Sequence, residues 1–377
     1  MIGQQTQNKH FRQRKALPWL VCLALGALLL SSCSGLGSSS NNNSSSTNST
    51  NITPAPGISL ALQNQGRAQL DTFQQWITLM QQNGGDVTTY QQQYTTDQKA
   101  LSQAGNDSAY STALKALTEH ISAIKIPALR QEIQFLQPKL EKDVNDWGNA
   151  HKYQDSYDGK TYTQNYEYDD KTGVGGPLWL GEALQTNKTL ADYQQTIEDL
   201  QMWITSFQGF KENFNDKTAW NKVHKTDLDL LQNYGFMDER VVVVSLSEQA
   251  MRVYDHGKLV KAFQVVTGQP DLATPPGNWW VEGKKHPTVF KSSAPKNSAD
   301  WYPDTKINYA MQYHSNGYFI HDAWWRTQFG KGANFPHLDE GGSAFSRGGS
   351  HGCVNMSTED SAWLYDFVSV FTQLMIY

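Results

Sequence analysis

Val241-Val242-Val243-Val244-Ser245-Leu246, then Met251-Arg252-Val253-Tyr254, the turn Asp255-His256-Gly257-Lys258 and the run 259–267 mark where this chain changes character. β-branched residues crowd these stretches, and a glycine-bearing turn joins two of them, which reads as a hairpin. Beyond the hairpin, 279–282, 306–312, 318–321 and 373–377 are further strand candidates. Ser357, three residues before Asp360, reads as the N-cap of a helix reaching about 367. Ahead of the hairpin, apolar residues recur at helical spacing. The stripes are Leu70, Phe73, Ile77 and Met80; Leu114, Leu117, Ile121 and Ile124, continued by Leu129, Ile133, Leu136, Leu140 and Val144; and Leu190, Tyr193, Ile197, Leu200, Ile204 and Phe207. Pro127 and Pro138 are expected to start, kink or end helices. The fold class that follows is multidomain α and β: an all-α bundle or stalk over 58–234, then a mostly-β body over 238–377.

The β half holds the chemistry. Cys353 lies in Ser350-His351-Gly352-Cys353-Val354-Asn355, with Phe319-Ile320-His321-Asp322 placed 32 residues upstream. A thiol becomes a strong nucleophile as its thiolate, and a nearby imidazole can take its proton. On an extended segment His351 and Cys353 would project to one face. Gly352 lacks a Cβ, which lets a substrate carbonyl approach the backbone N–H groups of Gly352 and Cys353, an oxyanion-hole arrangement. A buried, inert cysteine is the plainer reading of one such residue, but base, nucleophile and donors in one hexapeptide favour catalysis.

The hexapeptide, preceded by Tyr318-Phe319-Ile320-His321-Asp322, resembles the L,D-transpeptidase catalytic domain, the YkuD-type fold of bacterial cell-wall enzymes. The likeness runs over 238–377 and takes in the opening hairpin, the Thr267-Gly268 turn and Thr274-Pro275-Pro276-Gly277. It implies a β-sandwich with Cys353 as nucleophile and His321 as base and later acid. It also implies that His351 shapes the pocket and that Ser350 positions the histidines, with no metal or cofactor. Asp322 is a secondary candidate for orienting His321, because the family uses a backbone carbonyl for that task. Tyr313, Tyr318, Trp324, Trp325, Arg347 and Asn355 flank the motif and are candidates to line the substrate cleft, under a glycine-rich flap at 330–349.

The implied reaction is acyl transfer on peptidoglycan stem peptides. The thiolate attacks the bond between a diamino acid and D-Ala, and the acyl group passes to an acceptor amine to give a 3→3 cross-link. A carbapenem would acylate the same thiol. An L,D-carboxypeptidase, another wall-peptide thiol hydrolase and a non-catalytic wall-binding lipoprotein are the alternatives.

Residues 1–32 combine Lys9, Arg12, Arg14 and Lys15 with the apolar run 16–30, too short to span a bilayer comfortably and typical of a secretory signal. Leu30-Ser31-Ser32-Cys33 resembles a lipobox, which implies lipidation of Cys33 and a membrane anchor facing the cell-wall space. The Ser- and Asn-rich stretch 33–57 cannot bury a core and reads as a disordered tether. The net charge of −5 becomes −9 without 1–32, which argues against a nucleic-acid partner. Between the helical stripes, 151–181 carries Tyr153, Tyr157, Tyr162, Tyr166, Tyr168 and Trp179. Packing of this loop onto the body is the favoured reading, ahead of stacking on sugars. Oligomeric state is left open.

Overall fold

The computed structural model describes residues 57–298 and 301–377. The signal, Cys33 and the tether up to residue 56 lie outside the described residues. Three helices open the fold: α1 (Leu60–Gln82), α2 (Thr88–Gln103) and α3 (Asp107–Ala150). A short ribbon, β1 (Lys152–Gln154) with β2 (Thr161–Thr163), follows, then α4 (Glu182–Thr186), α5 (Leu190–Asn215) and α6 (Lys225–Asn233). α1, α2 and α5 all pack on α3, which is the spine of the bundle. The helical stripes read from the sequence supply its core: Leu70, Phe73, Ile77, Leu117, Ile124, Leu129, Leu200 and Phe207 are all buried.

Pro127 and Pro138 do not divide α3, which runs unbroken for 44 residues. A proline inside a helix costs about 3 kcal/mol. Burying a large apolar side chain returns about 1.5–3 kcal/mol, and α3 buries Leu114, Leu117, Ile121, Ile124, Leu129, Ile133, Leu140 and Val144. Tertiary packing therefore overrides the local penalty. The ribbon β1–β2 also qualifies the all-α expectation for this half.

The second half opens with β3 (Arg240–Ser245), β4 (Ala250–Asp255) and β5 (Lys258–Gln264). His256 and Gly257 both have positive φ, 50° and 69°, as a tight two-residue hairpin turn requires. Next come β6 (Gly277–Trp280), β7 (Gly283–Lys285), β8 (Thr288–Phe290), β9 (Thr305–Ile307), β10 (Ala310–His314) and β11 (Tyr318–Asp322). The chain closes with β12 (Val354–Met356), α7 (Thr358–Phe367) and β13 (Gln373–Ile376). Ser357 caps α7, its Oγ accepting from the Asp360 N–H at 3.1 Å.

One sheet has the order β5-β4-β3-β13-β6 and the other β12-β11-β10-β7, with β8–β9 a separate ribbon. The expected strand 306–312 is in fact divided between that ribbon and β10. The expected strand 259–267 ends its first pairing at Gln264. Its continuation pairs Val266 with Asn355 and Gly268 with Ser350, so one run of chain stitches the two sheets together beside the cysteine motif.

The described residues fall in one compact unit, and α6 shows why the two halves do not part at residue 235. Asp227 of α6 is fully buried against Arg252, Tyr254 and Tyr377. Its Oδ2 accepts from Arg252 Nε at 2.5 Å and from Tyr254 Oη at 2.6 Å, and its Oδ1 accepts from Tyr377 Oη at 2.6 Å. A buried charge pair is stable only while both partners remain.

Candidate active site

β11 and β12 run parallel, with Ile320 opposite Val354, His321 opposite Asn355 and Asp322 opposite Met356. Alternate residues of a strand face the same side, so Phe319 and His321 of β11 and Asn355 of β12 share one face, with Cys353 in the bend that leads into β12. Cys353 and His321 come from adjoining segments. Both border one apolar patch: Cys353 packs on Ile307, Ala310 and Phe319, and the Phe290 ring lies 4.7 Å from that of Phe319 and 5.1 Å from that of His321.

The histidine's tautomer follows from its partners. Arg326 can only donate, and its Nε meets Asn355 Oδ1 at 2.9 Å. Asn355 therefore turns its Nδ2 to His321 Nε2, 3.0 Å away, and that nitrogen accepts. His321 Nδ1 carries the proton and donates to the backbone carbonyl of Asp322 at 3.0 Å. The Asp322 carboxylate does not orient the ring. It is buried elsewhere, accepting from the N–H groups of Asn308 and Tyr309 and from Asn308 Nδ2, each at 2.8 Å. Burial pushes the His321 ring down to about 4, against the pull of its bond to the Asp322 carbonyl. Burial likewise pushes the Cys353 thiol up to about 11, with a backbone hydrogen bond at Phe319 acting the other way. The resting pair is a thiol and a neutral imidazole. The thiol donates to the Gly317 carbonyl over a long 3.8 Å.

The turn before Cys353 is not extended, as the shared-face reading of His351 and Cys353 required. Gly352 has φ +102°, and His351 is exposed, its ring 5.5 Å from that of Tyr302. A Cβ at Gly352 would lie 2.7 Å from Tyr318 Cε1, so the missing side chain accommodates this tyrosine rather than a substrate carbonyl. Ser350 sits in the same turn. Its Oγ donates to the Cys353 carbonyl at 2.5 Å and accepts the Gly352 N–H at 3.0 Å, bracing the turn.

The remaining candidates scatter. Tyr313 is buried, and burial, then the nearby thiol, raises its pKa well above the usual phenol range. It is a floor under the site, not a cleft residue. Asn355 is likewise buried and holds His321. Tyr318 is half-buried against the turn, Trp324 is 60% exposed with its Nε1 on the Lys306 carbonyl at 2.9 Å, and Arg347 is on the surface.

Arg326 was not anticipated. Besides Asn355 it donates to the carbonyls of Gly348 at 2.6 Å and Gly349 at 3.1 Å, so the span 330–349 is tied down beside the site. Burial lowers its pKa to about 10, which still leaves it charged at neutral pH. An arginine five residues after His321, closing a Trp324-Trp325 pair, was the available signal. The tyrosine-rich segment packs on the body as read. Tyr153, Tyr162 and Tyr166 surround Phe335, and Trp179 stands 5.9 Å from Tyr318.

Residues 239–376 match the YkuD family, the L,D-transpeptidase catalytic domain. L,D-transpeptidase 1 of Mycobacterium tuberculosis is 28% identical over 145 residues, covering 38% of this chain and 52% of that protein. The chain thus spans about half the length of this curated relative. Among solved structures, the catalytic domain of an E. faecium L,D-transpeptidase is 25% identical, with 37% of this chain and 98% of that one covered and a TM-score of 0.30. An L,D-transpeptidase solved in complex with imipenem is 26% identical, with 37% and 59% covered and a TM-score of 0.31. The family likeness of this chain is thus to the YkuD-type L,D-transpeptidase catalytic domain, over residues 239–376.

Proposed function

We propose that this chain is a peptidoglycan L,D-transpeptidase with a cysteine nucleophile, exported and held by lipid on Cys33 at the outer face of the cytoplasmic membrane. The supporting observation is the apolar patch around Phe319 and Phe290 that Cys353 and His321 both border, with His321 Nδ1–H committed to a carbonyl and Nε2 left as the basic nitrogen. A donor stem brings the carbonyl between its diamino acid and terminal D-Ala over Sγ. As the C–S bond forms, the thiol proton passes to Nε2, and the Asn355 N–H yields that lone pair. The Gly352 N–H is engaged by Ser350, so the Cys353 N–H is the candidate donor to the oxyanion. The imidazolium returns its proton to the departing D-Ala nitrogen, leaving a thioester. The side-chain amine of a second stem then attacks, His321 takes its proton, and the thiol is restored as the 3→3 link forms.

The test is mass spectrometry of muropeptides incubated with a soluble Cys33→Ser protein. The expected product is a dimer lighter by one D-Ala, absent with Cys353→Ala. Release of D-Ala without a dimer would make the protein a carboxypeptidase. A carbapenem should add its mass to the wild type only, and acylation of Cys353→Ala would remove the cysteine from the mechanism. His321→Ala should slow acylation by ~10²–10⁴, the share of a general base.

A further inference from the structure

We infer that Tyr166, outside the matched domain and within the helical half, is a positioning residue for Cys353, an inference that rests on the proposed function. Tyr166 is buried against Ala273 and Phe335. Its hydroxyl donates to the Gly268 carbonyl at 2.6 Å and accepts from Asn334 Nδ2 at 2.8 Å. Gly268 is bridged to Ser350. The strap 267–274 makes that bridge with two hydrogen bonds, the Ser350 N–H donating to the Thr267 carbonyl at 2.9 Å and the Gln269 N–H to the Ser350 carbonyl at 3.0 Å, and adds one more from Thr274 Oγ1 to the Gly352 carbonyl at 2.8 Å. Asn334 belongs to the span 330–349, whose far end Arg326 holds. One phenol therefore pins strap and loop to each other behind residues 350–353.

Thr172 Oγ1, from the same helical-half segment, adds a second tie at 2.9 Å to the Pro270 carbonyl. The strap is thus backed from outside the catalytic domain at two places. Tyr166→Phe keeps the ring and its packing but leaves the Gly268 carbonyl and the Asn334 amide buried without this partner. Displacement of a catalytic group by about 1 Å can lower a rate ~100-fold, and a relaxed strap with the ring still in place points to roughly tenfold.

The experiment compares the full-length protein with its Tyr166→Phe and Tyr193→Phe variants. The second variant removes a hydroxyl that accepts from Arg130 Nε at 2.9 Å inside the bundle, and serves as the control for general loosening. Two rates are read: muropeptide transfer, as kcat and KM, and alkylation of Cys353 by iodoacetamide. Tyr166→Phe should lower kcat roughly tenfold with KM within about twofold, and speed alkylation about threefold as the turn loosens around the thiol. Tyr193→Phe should change neither. Wild-type kcat and alkylation in Tyr166→Phe, or the same changes in Tyr193→Phe, would overturn the inference. Should the wild type transfer nothing, the functional reading fails, while alkylation still decides the role of Tyr166. If Tyr166→Phe does not fold, Asn334→Ala opens the same bridge from the loop side and is judged by the same two rates.

Discussion

Alkylating Cys353 in the free protein from about pH 6 to about pH 11 should give a rate that climbs about tenfold per pH unit, with no plateau below about pH 10. The thiol lies against Ile307, Ala310 and Phe319, and burial moves it from 9.0 to about 11. A rise of two pH units leaves about 100-fold less thiolate at neutral pH than an ordinary cysteine has. Nucleophilicity grows with basicity, with a Brønsted slope of about 0.4–0.5, and restores roughly a factor of eight. The net expectation is alkylation about tenfold slower than free cysteine at pH 7. The assay is iodoacetamide with quenched mass spectrometry. His321→Ala should leave this profile within about twofold while slowing carbapenem acylation by ~10²–10⁴, because the resting imidazole is bonded to Asn355 and Asp322 and acts only once a substrate is bound. A plateau near neutral pH, lost in His321→Ala, would reveal a preformed thiolate–imidazolium pair and refute the reasoning.

Arg326→Met frees the Asn355 amide to turn its oxygen to His321 Nε2 and strands the Gly348 and Gly349 carbonyls. Acylation should fall at least about tenfold with about 2–4 kcal/mol lost in a denaturant melt, and unchanged acylation would show that Arg326 does not set the tautomer. Glu167 is fully buried, and burial raises its carboxyl from 4.5 to about 8. The native state therefore keeps a proton that the unfolded chain has lost between those values, so stability falls as pH rises from 4.5 to about 8, by up to about 1.4 kcal/mol per pH unit; Glu167→Gln should flatten that slope in melts across the window. A chain begun at Gly235 loses Asp227 from beside Arg252. It should be destabilised by about 3–5 kcal/mol or fail to fold by circular dichroism, and a cooperative melt matching the full chain would show that the β half stands alone.

The reach of the sequence is clearest in the elements with strong local signals. The hairpin 241–264, the Ser357 cap and the α1, α3 and α5 stripes were readable because periodicity, turn residues and caps act between neighbours in the chain. The motif singled out Cys353 and His321 as the proposed pair in the same way, from residue type and spacing. Local rules misplaced what long-range packing decides. Pro127 and Pro138 are tolerated because α1, α2 and α5 bury the rest of α3, and the run 259–267 leaves its hairpin because residues 266–268 find partners at Asn355 and Ser350.

The division of labour inside the site was equally invisible. Gly352 turns with positive φ over Tyr318, so the segment is not the extended one on which His351 and Cys353 would share a face. Asn355 becomes the partner of His321 only because β11 and β12 lie side by side in register, and its orientation is imposed by Arg326 from a third segment. The sequence by itself determined the kinds of element and pointed to the proposed reactive pair, since these depend on residue types and spacings along the chain. Tertiary structure alone decided which nitrogen of His321 is basic, how the thiol is held neutral and that Tyr166 of the helical half braces the catalytic turn. Those outcomes depend on burial and on hydrogen bonds between residues as far as 168 positions apart, as from Asn334 to Tyr166, and such distances leave no local pattern to read.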